Sequence, residues 1–529
     1  MLFDGKTQRN QGDIVVDKHK GILNVGVSIS SKIILLLVAL IIRRLLIQNI
    51  GNDVNGLNSL YTNIIGMLAV AELGIGSTIV YSMYSPIVAG EKEKVAALYS
   101  LYKKIYWIIG AVIFVAGLVI IPFLPSLIND YEELSINVYL TFFLTLISVV
   151  LSYLYSAKTS LIEAYKDNYI STGILTISRL IRYGLQIGAI LIFKSYEIFV
   201  ACLIIETLVI WLLTDIMVRK LHDDVIVINK NVDASTKQEI TRNVSAMMMH
   251  KVGTVMVKTV DGLIISGFIG VVVLGKYTNY NLLAVNIASL ISLFFSPLTS
   301  VVGHLCAAGD KNETHKWFDH FYGLNFILGL VFFLGYYAVI DYAVTLLFGP
   351  DLEMSRAIAL IITINQFQQY MRYSIHLFRD ASGTFYNDRW KPIAEGVLNL
   401  ILSLLFVSIL PEDYKVVGVI VATIITTLLI CNTVEPYVVF KHVFHASPKK
   451  FYIRNYAYTA VFTASLLLMN VLIRAYDNQI EGLLVNGFIS VGVSAIVLTL
   501  VAVFERNFRY EVRLMGSKGI GVLKRIRRR

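Results

Sequence analysis

Long apolar runs separated by short polar breaks extend along this chain of 529 residues. At about 1.5 Å per residue, runs of about 20 residues form helices that cross a hydrocarbon core of about 30 Å. The strands of a transmembrane barrel would instead give runs of about 10 residues with alternating polarity. The chain is 16% charged, whereas soluble domains are about 25% charged, so it lacks the polar surface of a soluble protein. The sequence therefore predicts an all-α polytopic membrane protein.

The apolar runs predict about 14 transmembrane helices. Their predicted ranges are 22–47, 59–85, 105–128, 136–157, 170–193, 198–218, 246–273, 281–304, 321–344, 356–378, 392–410, 416–439, 453–475 and 485–504. A long polar loop separates the first six from the rest. The predicted organisation is an N-terminal segment 1–21, an N-lobe of six helices 22–218, an inter-lobe linker 219–245, a C-lobe of six helices with its last inner loop 246–452, two further helices 453–504 and a basic tail 505–529.

Basic residues are concentrated on one predicted side of the membrane. Most of the 46 lysines and arginines fall in loops that share a side with the N-terminus, and the chain ends in a basic run. The opposite loops are short and acidic or neutral, as in Asp130–Tyr131–Glu132–Glu133. This asymmetry predicts that the N-terminal segment, the linker and the basic tail are all cytoplasmic. The net charge of +10 is therefore attributed to cytoplasmic loops, and no nucleic-acid partner is expected.

A set of cations lies inside or at the edge of the predicted helices. Its members are Lys32, Arg43, Arg44, Arg179, Arg182, Lys251, Lys258 and Arg372. Placing such a side chain in the bilayer centre costs roughly 2.5–3.5 kcal/mol on insertion scales, so each is expected to face protein, water or a ligand. A membrane protein that keeps these charges is expected to carry an anion.

Several sequence blocks resemble Wzx-type polysaccharide flippases of Gram-positive bacteria. They are AELGIGSTIVYSMY at the end of 51–84, HKVGTVMVKTVDGLIISGFIGVVVLGKYTNY over His250–Tyr280, FRDASGTFYNDRWKPIAEGVLNLILS over Phe378–Ser403, GVIVATIIT from Gly418, and EPYVVFKHVF from Glu435. The blocks occur in family order over most of the chain. The resemblance identifies the chain as similar to members of the multidrug/oligosaccharidyl-lipid/polysaccharide exporter superfamily.

The resemblance implies both a fold and a cargo. The fold would be two six-helix lobes in a V around a central cationic cavity, followed by two C-terminal helices like those of the lipid II flippases. The cargo would be an undecaprenyl-diphosphate-linked oligosaccharide, moved to the outer leaflet of a bacterial cell membrane by alternating access for capsule or exopolysaccharide synthesis. The partners would be this lipid-linked oligosaccharide, the lipid bilayer and a polysaccharide polymerase; a monomer without cofactors is expected.

The first helix carries the cations that the resemblance singles out for the diphosphate. Lys32 and Arg43 are eleven residues apart, which is three turns, and so lie on nearly the same face. Arg43 and Arg44 lie near the outer end. The alternative is that these side chains snorkel to the headgroups.

Arg179 and Arg182 lie three residues apart in the middle of the fifth predicted helix. Guanidinium groups suit bidentate contact with phosphate oxygens, which favours a role in diphosphate binding. The alternative is an ion pair with a buried carboxylate such as Glu206 on the next helix.

The seventh predicted helix carries Lys251, Lys258 and Asp261. The two lysines are two turns apart and are candidate diphosphate ligands. Lys258 and Asp261 are three residues apart, so they can form an internal pair. The functional alternative is a switch in which Asp261 takes up a proton or Na⁺ and gates the lobes.

Two other charged residues are candidates by their depth in the membrane. Glu72 lies in the second predicted helix, where a structural clamp and an ion-coupling site are equally consistent with the sequence. Arg372, preceded by Asn365, Gln366 and Gln369, would form a polar wall for the diphosphate and the sugars, or serve as interhelical glue.

The sequence carries none of the catalytic motifs of an ATPase, a zinc enzyme or a Ser-centred hydrolase, so we expect a transporter and not an enzyme. The coupling ion would be Na⁺ or H⁺. Alternative cargoes are lipid II or a teichoic-type precursor. A multidrug antiporter of the same superfamily is a further alternative, although cations dominate the predicted cavity where that branch uses carboxylates.

Overall fold

The structure is a computed structural model. It describes residues 18–72, 75–228, 259–295, 310–382 and 387–505, together with the single positions 232, 255, 302, 303, 305, 306 and 384. Lys251 and Lys258 lie outside the described residues, as do the N-terminal segment 1–17 and the basic tail beyond Glu505.

The described chain is built from α-helices. The first nine are α1 Lys18–Asn49, α2 Asn52–Leu68, α3 Ile75–Val88, α4 Lys92–Ile120, α5 Val138–Ala164, α6 Asn168–Gly188, α7 Tyr196–Ile226, α8 Thr259–Phe268 and α9 Val271–Phe295. The next eight are α10 Lys311–Phe348, α11 Arg356–Met371, α12 Tyr373–Ser382, α13 Lys391–Ile409, α14 Lys415–Thr426, α15 Asn432–Val439, α16 Lys449–Leu472 and α17 Gln479–Phe504. The predicted all-α class is confirmed.

Nine helices among the described residues are long and apolar enough to cross a membrane. They include α4 with its 3₁₀ extension to Leu127 and α10, which is 38 residues long. At about 1.5 Å per residue α10 reaches well beyond the roughly 30 Å hydrocarbon core. The chain is therefore a multi-pass membrane protein, and the total of 14 spans stays a prediction.

Two predicted spans are interrupted within the membrane part of the chain. The second changes to a 3₁₀ turn over Ala69–Glu72, between α2 and α3. The tenth is divided at Arg372, between α11 and α12. Breaks of this kind expose backbone groups that nearby polar side chains can satisfy, so they mark candidate functional positions.

By backbone contacts the chain divides into two units. The first takes its described residues from Met1–Ile42, Gly76–Phe114 and Phe143–Thr241. The second takes them from Arg43–Ile75, Val115–Phe142 and Arg242–Arg529. The division cuts α1, α4 and α5, so it differs from the predicted lobe boundaries, which stay a prediction.

Helices α16 and α17 pack along α10 in the second unit. A side chain on Gly482 would overlap the Tyr342 ring, so glycine lets α17 approach closely. Tyr342 donates a hydrogen bond to the Arg474 carbonyl at 2.8 Å, and Tyr337 donates to Asn470 Oδ1 at 2.6 Å. These contacts fix the C-terminal helix pair against one long helix.

Candidate functional site

Arg43 lies near the C-terminal end of α1 and is half-buried. Its Nε donates to Asn279 Oδ1 at 2.7 Å, and its Nη2 donates to Thr278 Oγ1 at 2.9 Å. The guanidinium also lies 5.9 Å from the centre of the Phe348 ring. No carboxylate among the described residues pairs with Arg43, so its charge is held by neutral dipoles.

Lys32 and Arg44, the other predicted membrane cations on α1, differ from each other in exposure. Lys32 is half-buried and engaged in an interaction, whereas Arg44 is exposed. The predicted role of Lys32 in diphosphate binding stays a prediction.

Helices α2 and α9 touch through their backbones. A side chain on Gly56 would overlap the Val271 carbonyl, and one on Gly275 would lie 2.7 Å from the Asn52 carbonyl oxygen. Only glycine permits this approach. The α2–α9 contact is therefore specified by two glycines.

Polar side chains seal the same contact. Asn52 Nδ2 donates to the Val272 carbonyl at 2.8 Å, and Asn55 Nδ2 donates to the Gly275 carbonyl at 3.1 Å. The Ser59 hydroxyl donates to Thr278 Oγ1 at 3.2 Å. Because Thr278 also accepts from Arg43, the cation is part of the hydrogen-bond network that joins α1, α2 and α9.

A second set of contacts lies between α8 and α9, where the chain turns. Asp130 Oδ1 accepts from the Val271 backbone N–H at 3.0 Å, and the Ser266 hydroxyl donates to the Leu127 carbonyl at 2.8 Å. Gly270 adopts a φ of 130°, which glycine reaches without strain. Sequence reasoning assigned Asp130 to an outer loop and missed this anchoring role.

Arg179 and Arg182 share one carboxylate in the first unit. Arg182 Nε lies 2.9 Å from Glu206 Oε2, and Arg179 Nε lies 3.4 Å from Glu206 Oε1. The Arg179 side chain is 47% exposed, whereas that of Glu206 is 12% exposed. Arg182 also stacks on Tyr183, with its guanidinium 4.6 Å from the ring centre. The structure therefore shows the alternative in which both arginines pair with Glu206. Because two positive charges share one carboxylate, the group keeps a net positive charge.

Arg372 lies in a buried cluster of charges in the second unit. Its Nη2 donates to Glu435 Oε1 at 2.6 Å and its Nε donates to Glu435 Oε2 at 3.1 Å. Lys391 Nζ donates to Glu435 at 2.6 Å and lies 2.8 Å from Glu395. His376 Nε2 lies 3.1 Å from Glu435 Oε2. We call Arg372, His376, Lys391, Glu395 and Glu435 the charge cluster.

The charge cluster is balanced by its own members. The Arg372 side chain is 10% exposed and the Glu435 side chain is 1% exposed, so little water reaches the pair. Two carboxylates face two permanent cations, and Arg372 is bound bidentately, as guanidinium–carboxylate pairs prefer. The geometry commits Arg372 to carboxylates inside the protein, and its predicted role as a diphosphate ligand stays a prediction.

Asp261 is buried in α8 beneath α13 and α14. The Thr423 hydroxyl lies 2.9 Å and 3.1 Å from its two carboxylate oxygens, and Asn399 Nδ2 donates to Thr423 Oγ1 at 2.8 Å. Asn399 Oδ1 and Ser403 Oγ, one turn apart on α13, are buried and lack a hydrogen-bond partner among the described residues. The predicted Lys258–Asp261 pair lies outside the described residues. We call Asp261, Thr423 and Asn399, which these contacts join, the oxygen cluster.

Glu72 ends the 3₁₀ turn between α2 and α3 and is half-buried with a partner. Its predicted roles, clamp or ion site, stay predictions. Among the described residues no group of three or more His, Cys, Asp or Glu side chains could hold a metal ion.

The fold is shared with transporters of known structure. "Lipid II flippase MurJ, inward closed conformation" superposes with a TM-score of 0.63 at 14% identity, covering 92% of this chain and 99% of that chain. An inward-facing multidrug resistance MATE family transporter of the MOP superfamily gives 0.54 at 14% identity, covering 76% and 96%. MATE in the bent conformation gives 0.52 at 12% identity, covering 83% and 97%.

Identities this low establish the fold alone. Neither a family model nor a curated protein matches the sequence. The chain therefore has the fold of the MurJ and MATE transporters, and its cargo has to be argued from its own residues.

Proposed function

We propose that the protein is a flippase that moves undecaprenyl-diphosphate-linked oligosaccharide repeat units from the inner to the outer leaflet for capsule or exopolysaccharide synthesis. The fold is compatible with lipid-linked and with small-molecule cargo, and the Wzx-type sequence blocks favour the first. The observation that carries the proposal is Arg43, a half-buried cation held by neutral side chains.

Arg43 suits a diphosphate for geometric reasons. Asn279 and Thr278 bind two of its nitrogens and fix the plane of the guanidinium. Nη1 has no hydrogen-bond partner among the described residues, so it can donate to a phosphate oxygen. A preorganised guanidinium binds phosphate more strongly than a mobile ammonium does, because less conformational freedom is lost.

Lys32, Arg179 and Arg182 are also proposed as diphosphate ligands. Lys32 lies three turns from Arg43 on nearly the same face of α1. Arg179 and Arg182 keep a net positive charge beside Glu206. Lys251 and Lys258 stay predicted ligands, and the proposal does not depend on Arg372.

The α2–α9 contact is the proposed outer gate. The basic-residue asymmetry assigns this end of α1 to the outer side, so the contact would close the outer face while cargo enters from the cytoplasm. Opening would separate Thr278 and Asn279 from α2, and would free the Arg43 guanidinium to follow the diphosphate. In this scheme, alternating access requires a closed and an open state of the hydrogen-bond network that joins α1, α2 and α9.

The oxygen cluster is the proposed coupling site for Na⁺ or H⁺. A carboxylate, a hydroxyl and a buried amide oxygen without a hydrogen-bond partner among the described residues are groups that suit a hard cation or a proton. We expect Asp261→Asn to abolish the dependence of transport on the ion gradient, because the amide carries no charge to neutralise. Transport with an unchanged response to both Na⁺ and pH gradients would remove this role.

Flipping of labelled diphosphoprenyl oligosaccharide in proteoliposomes tests the proposal. Arg43→Gln removes a charged hydrogen-bond donor worth roughly 1.5–3 kcal/mol, so the flipping rate is expected to fall about 10-fold or more. Arg44→Gln is the matched control, since it removes the same charge from an exposed neighbour and is expected to stay within about twofold of wild type. Equal rates for both variants would reject Arg43 as the diphosphate ligand.

The same assay separates the alternative cargoes. Lipid II and a teichoic-type precursor share the diphosphate and differ in the sugar, so each is offered to wild type and to Arg43→Gln. If the protein moves only cationic drugs, and wild type and Arg43→Gln move them at equal rates, it is an antiporter. That result would contradict the flippase proposal.

A further inference from the structure

A pocket of about 390 Å³ lies at the end of three helices in the second unit. It is bounded by the start of α10, the end of α12 and the π-turn Phe440–Phe444 that follows α15. Small-molecule sites commonly measure roughly 300–1,000 Å³, so the pocket has room for a phosphorylated headgroup. It involves none of the residues assigned above to the diphosphate, the gate or the oxygen cluster.

Three basic side chains from two separate elements line this pocket. They are Lys311 at the start of α10, and His442 and His445 at the end of the π-turn. None of them pairs with a carboxylate among the described residues. None of the described lining residues is acidic.

Asp310 and Arg379, which lie next to the pocket along the chain, already have partners of their own. Asp310 Oδ1 accepts the backbone N–H groups of Asn312 and Glu313 at 3.0 Å, so its charge caps α10. Arg379 on α12 is balanced by Asp380 and Asp388. Neither Asp310 nor Arg379 is therefore paired with the basic groups of the pocket.

Hydroxyl groups on the opposite wall complete the donor set. The Ser382 and Thr384 oxygens are 3.0 Å apart, and both lie within hydrogen-bond distance of the Arg379 carbonyl. One hydroxyl proton satisfies that carbonyl, which leaves the second available to a ligand.

A packed aromatic cluster joins the elements that line the pocket. His315 stacks on Phe444 with ring centres 4.9 Å apart, and Phe318 lies 5.1 Å from Phe444 and 5.3 Å from Phe378. These rings come from α10, α12 and the π-turn, the same elements that carry the basic groups and hydroxyls. The donors are thus held on a rigid base before any ligand binds.

From this arrangement we infer that the pocket is an anion site for a phosphate group, carried by a lipid headgroup or by a soluble phosphate, distinct from the proposed diphosphate site at Arg43. Lysine, histidine and hydroxyl donors around a pocket whose described lining contains no acid match the oxygens of a phosphate. The basic-residue asymmetry assigns this helix end to the cytoplasmic face, where anionic headgroups and soluble phosphates both occur.

Thermal melting of the purified full-length protein tests this inference. Lys311→Gln/His442→Gln/His445→Gln removes the basic lining. Lys316→Gln/Lys441→Gln is the matched control, because it removes charges from α10 and the π-turn outside the pocket. Inorganic phosphate and diphosphate are titrated in neutral detergent, and phosphatidylglycerol is titrated into phosphatidylcholine nanodiscs.

A ligand that binds the folded state raises the melting temperature in a saturable way. We expect wild type and the control variant to respond alike, and the triple variant to need at least 10-fold more ligand. A response to phosphatidylglycerol alone assigns the headgroup source, and a response to soluble phosphates alone assigns the free anion. If wild type responds to neither, or if the triple variant responds like the control, the inference is overturned.

Discussion

Arg43 and Arg372 are both cations in the membrane part of the chain, and their surroundings are opposite. Arg43 donates to an amide and a hydroxyl, Asn279 and Thr278, at the junction of α1 and α9. Arg372 donates twice to Glu435, within a cluster that contains a second carboxylate and a lysine.

This difference separates a binding residue from a structural one. Neutral dipoles stabilise a guanidinium without cancelling its charge, so an anionic ligand still gains by approaching Arg43. Carboxylates cancel the charge of Arg372, and a ligand would have to displace them against a large desolvation penalty. A cation in a membrane span is therefore informative only together with its partners.

The largest expected effect is that of Glu435→Gln on stability. The amide leaves Arg372 and Lys391 buried beside a single carboxylate, and breaking a buried pair of this kind destabilises by about 3–5 kcal/mol. Thermal melting in detergent is expected to show a much lower melting temperature. Glu412→Gln, an exposed acid on a loop, is the control, and equal melting of the two variants would show that the charge cluster is not structural.

Arg43→Lys should have the next largest effect, on transport. The ammonium keeps the charge but cannot donate in the fixed plane that joins Asn279 and Thr278. We expect a flipping rate between those of wild type and Arg43→Gln, with melting close to wild type. If Arg43→Lys flips cargo at the wild-type rate, the positive charge alone matters, and the hydrogen bonds to Asn279 and Thr278 do not contribute to transport.

Gly56→Ala tests the contact that holds Arg43 near α9. The added methyl group would push against the Val271 carbonyl, and overpacking costs about 1–3 kcal/mol. Labelling of Ser59→Cys by a membrane-impermeant maleimide, in a background without native cysteines, should become about 5-fold faster or more. Gly173→Ala is the control, because the space around that helical glycine is open. Equal labelling in both would argue against a gate at Gly56.

The smallest effect is expected for Arg179→Ala. This side chain is 47% exposed and lies 3.4 Å from Glu206, which Arg182 already pairs with at 2.9 Å. Exposed ion pairs contribute about 0–1 kcal/mol, so melting should hardly change, whereas Arg182→Ala should lower the melting temperature more. A large loss of stability in Arg179→Ala would place this residue with Arg372 in the structural class.

The sequence was sufficient for the fold class because apolar runs fix the environment of each helix. It offered the pairing of Arg179 and Arg182 with Glu206 only as the alternative to diphosphate binding, since both are consistent with charges on neighbouring helices. It did not reveal the charge cluster. Arg372 and Glu435 are 63 residues apart, and no periodicity links them. Two sequence signals pointed to the cluster: the spacing of one helical turn between Lys391 and Glu395, and the position of Glu435 within an apolar run.

The gate was also beyond sequence reasoning, for a different reason. Gly56 and Gly275 are ordinary glycines in a sequence with 35 of them. Their role arises from the close approach of α2 to α9, which depends on the packing of the whole second unit. The helix break at Arg372 was missed because a continuous apolar pattern does not indicate where a helix is divided.

The neutrality of the charge cluster has an electrical consequence. With an uncharged His376 imidazole, Arg372 and Lys391 offset Glu395 and Glu435, so these helices can shift across the membrane with almost no work against the transmembrane voltage. A single unbalanced charge would meet about 2.3 kcal/mol per 100 mV. Any voltage sensitivity of the cycle would therefore originate in the cargo, the coupling ion and the unbalanced cations such as Arg43.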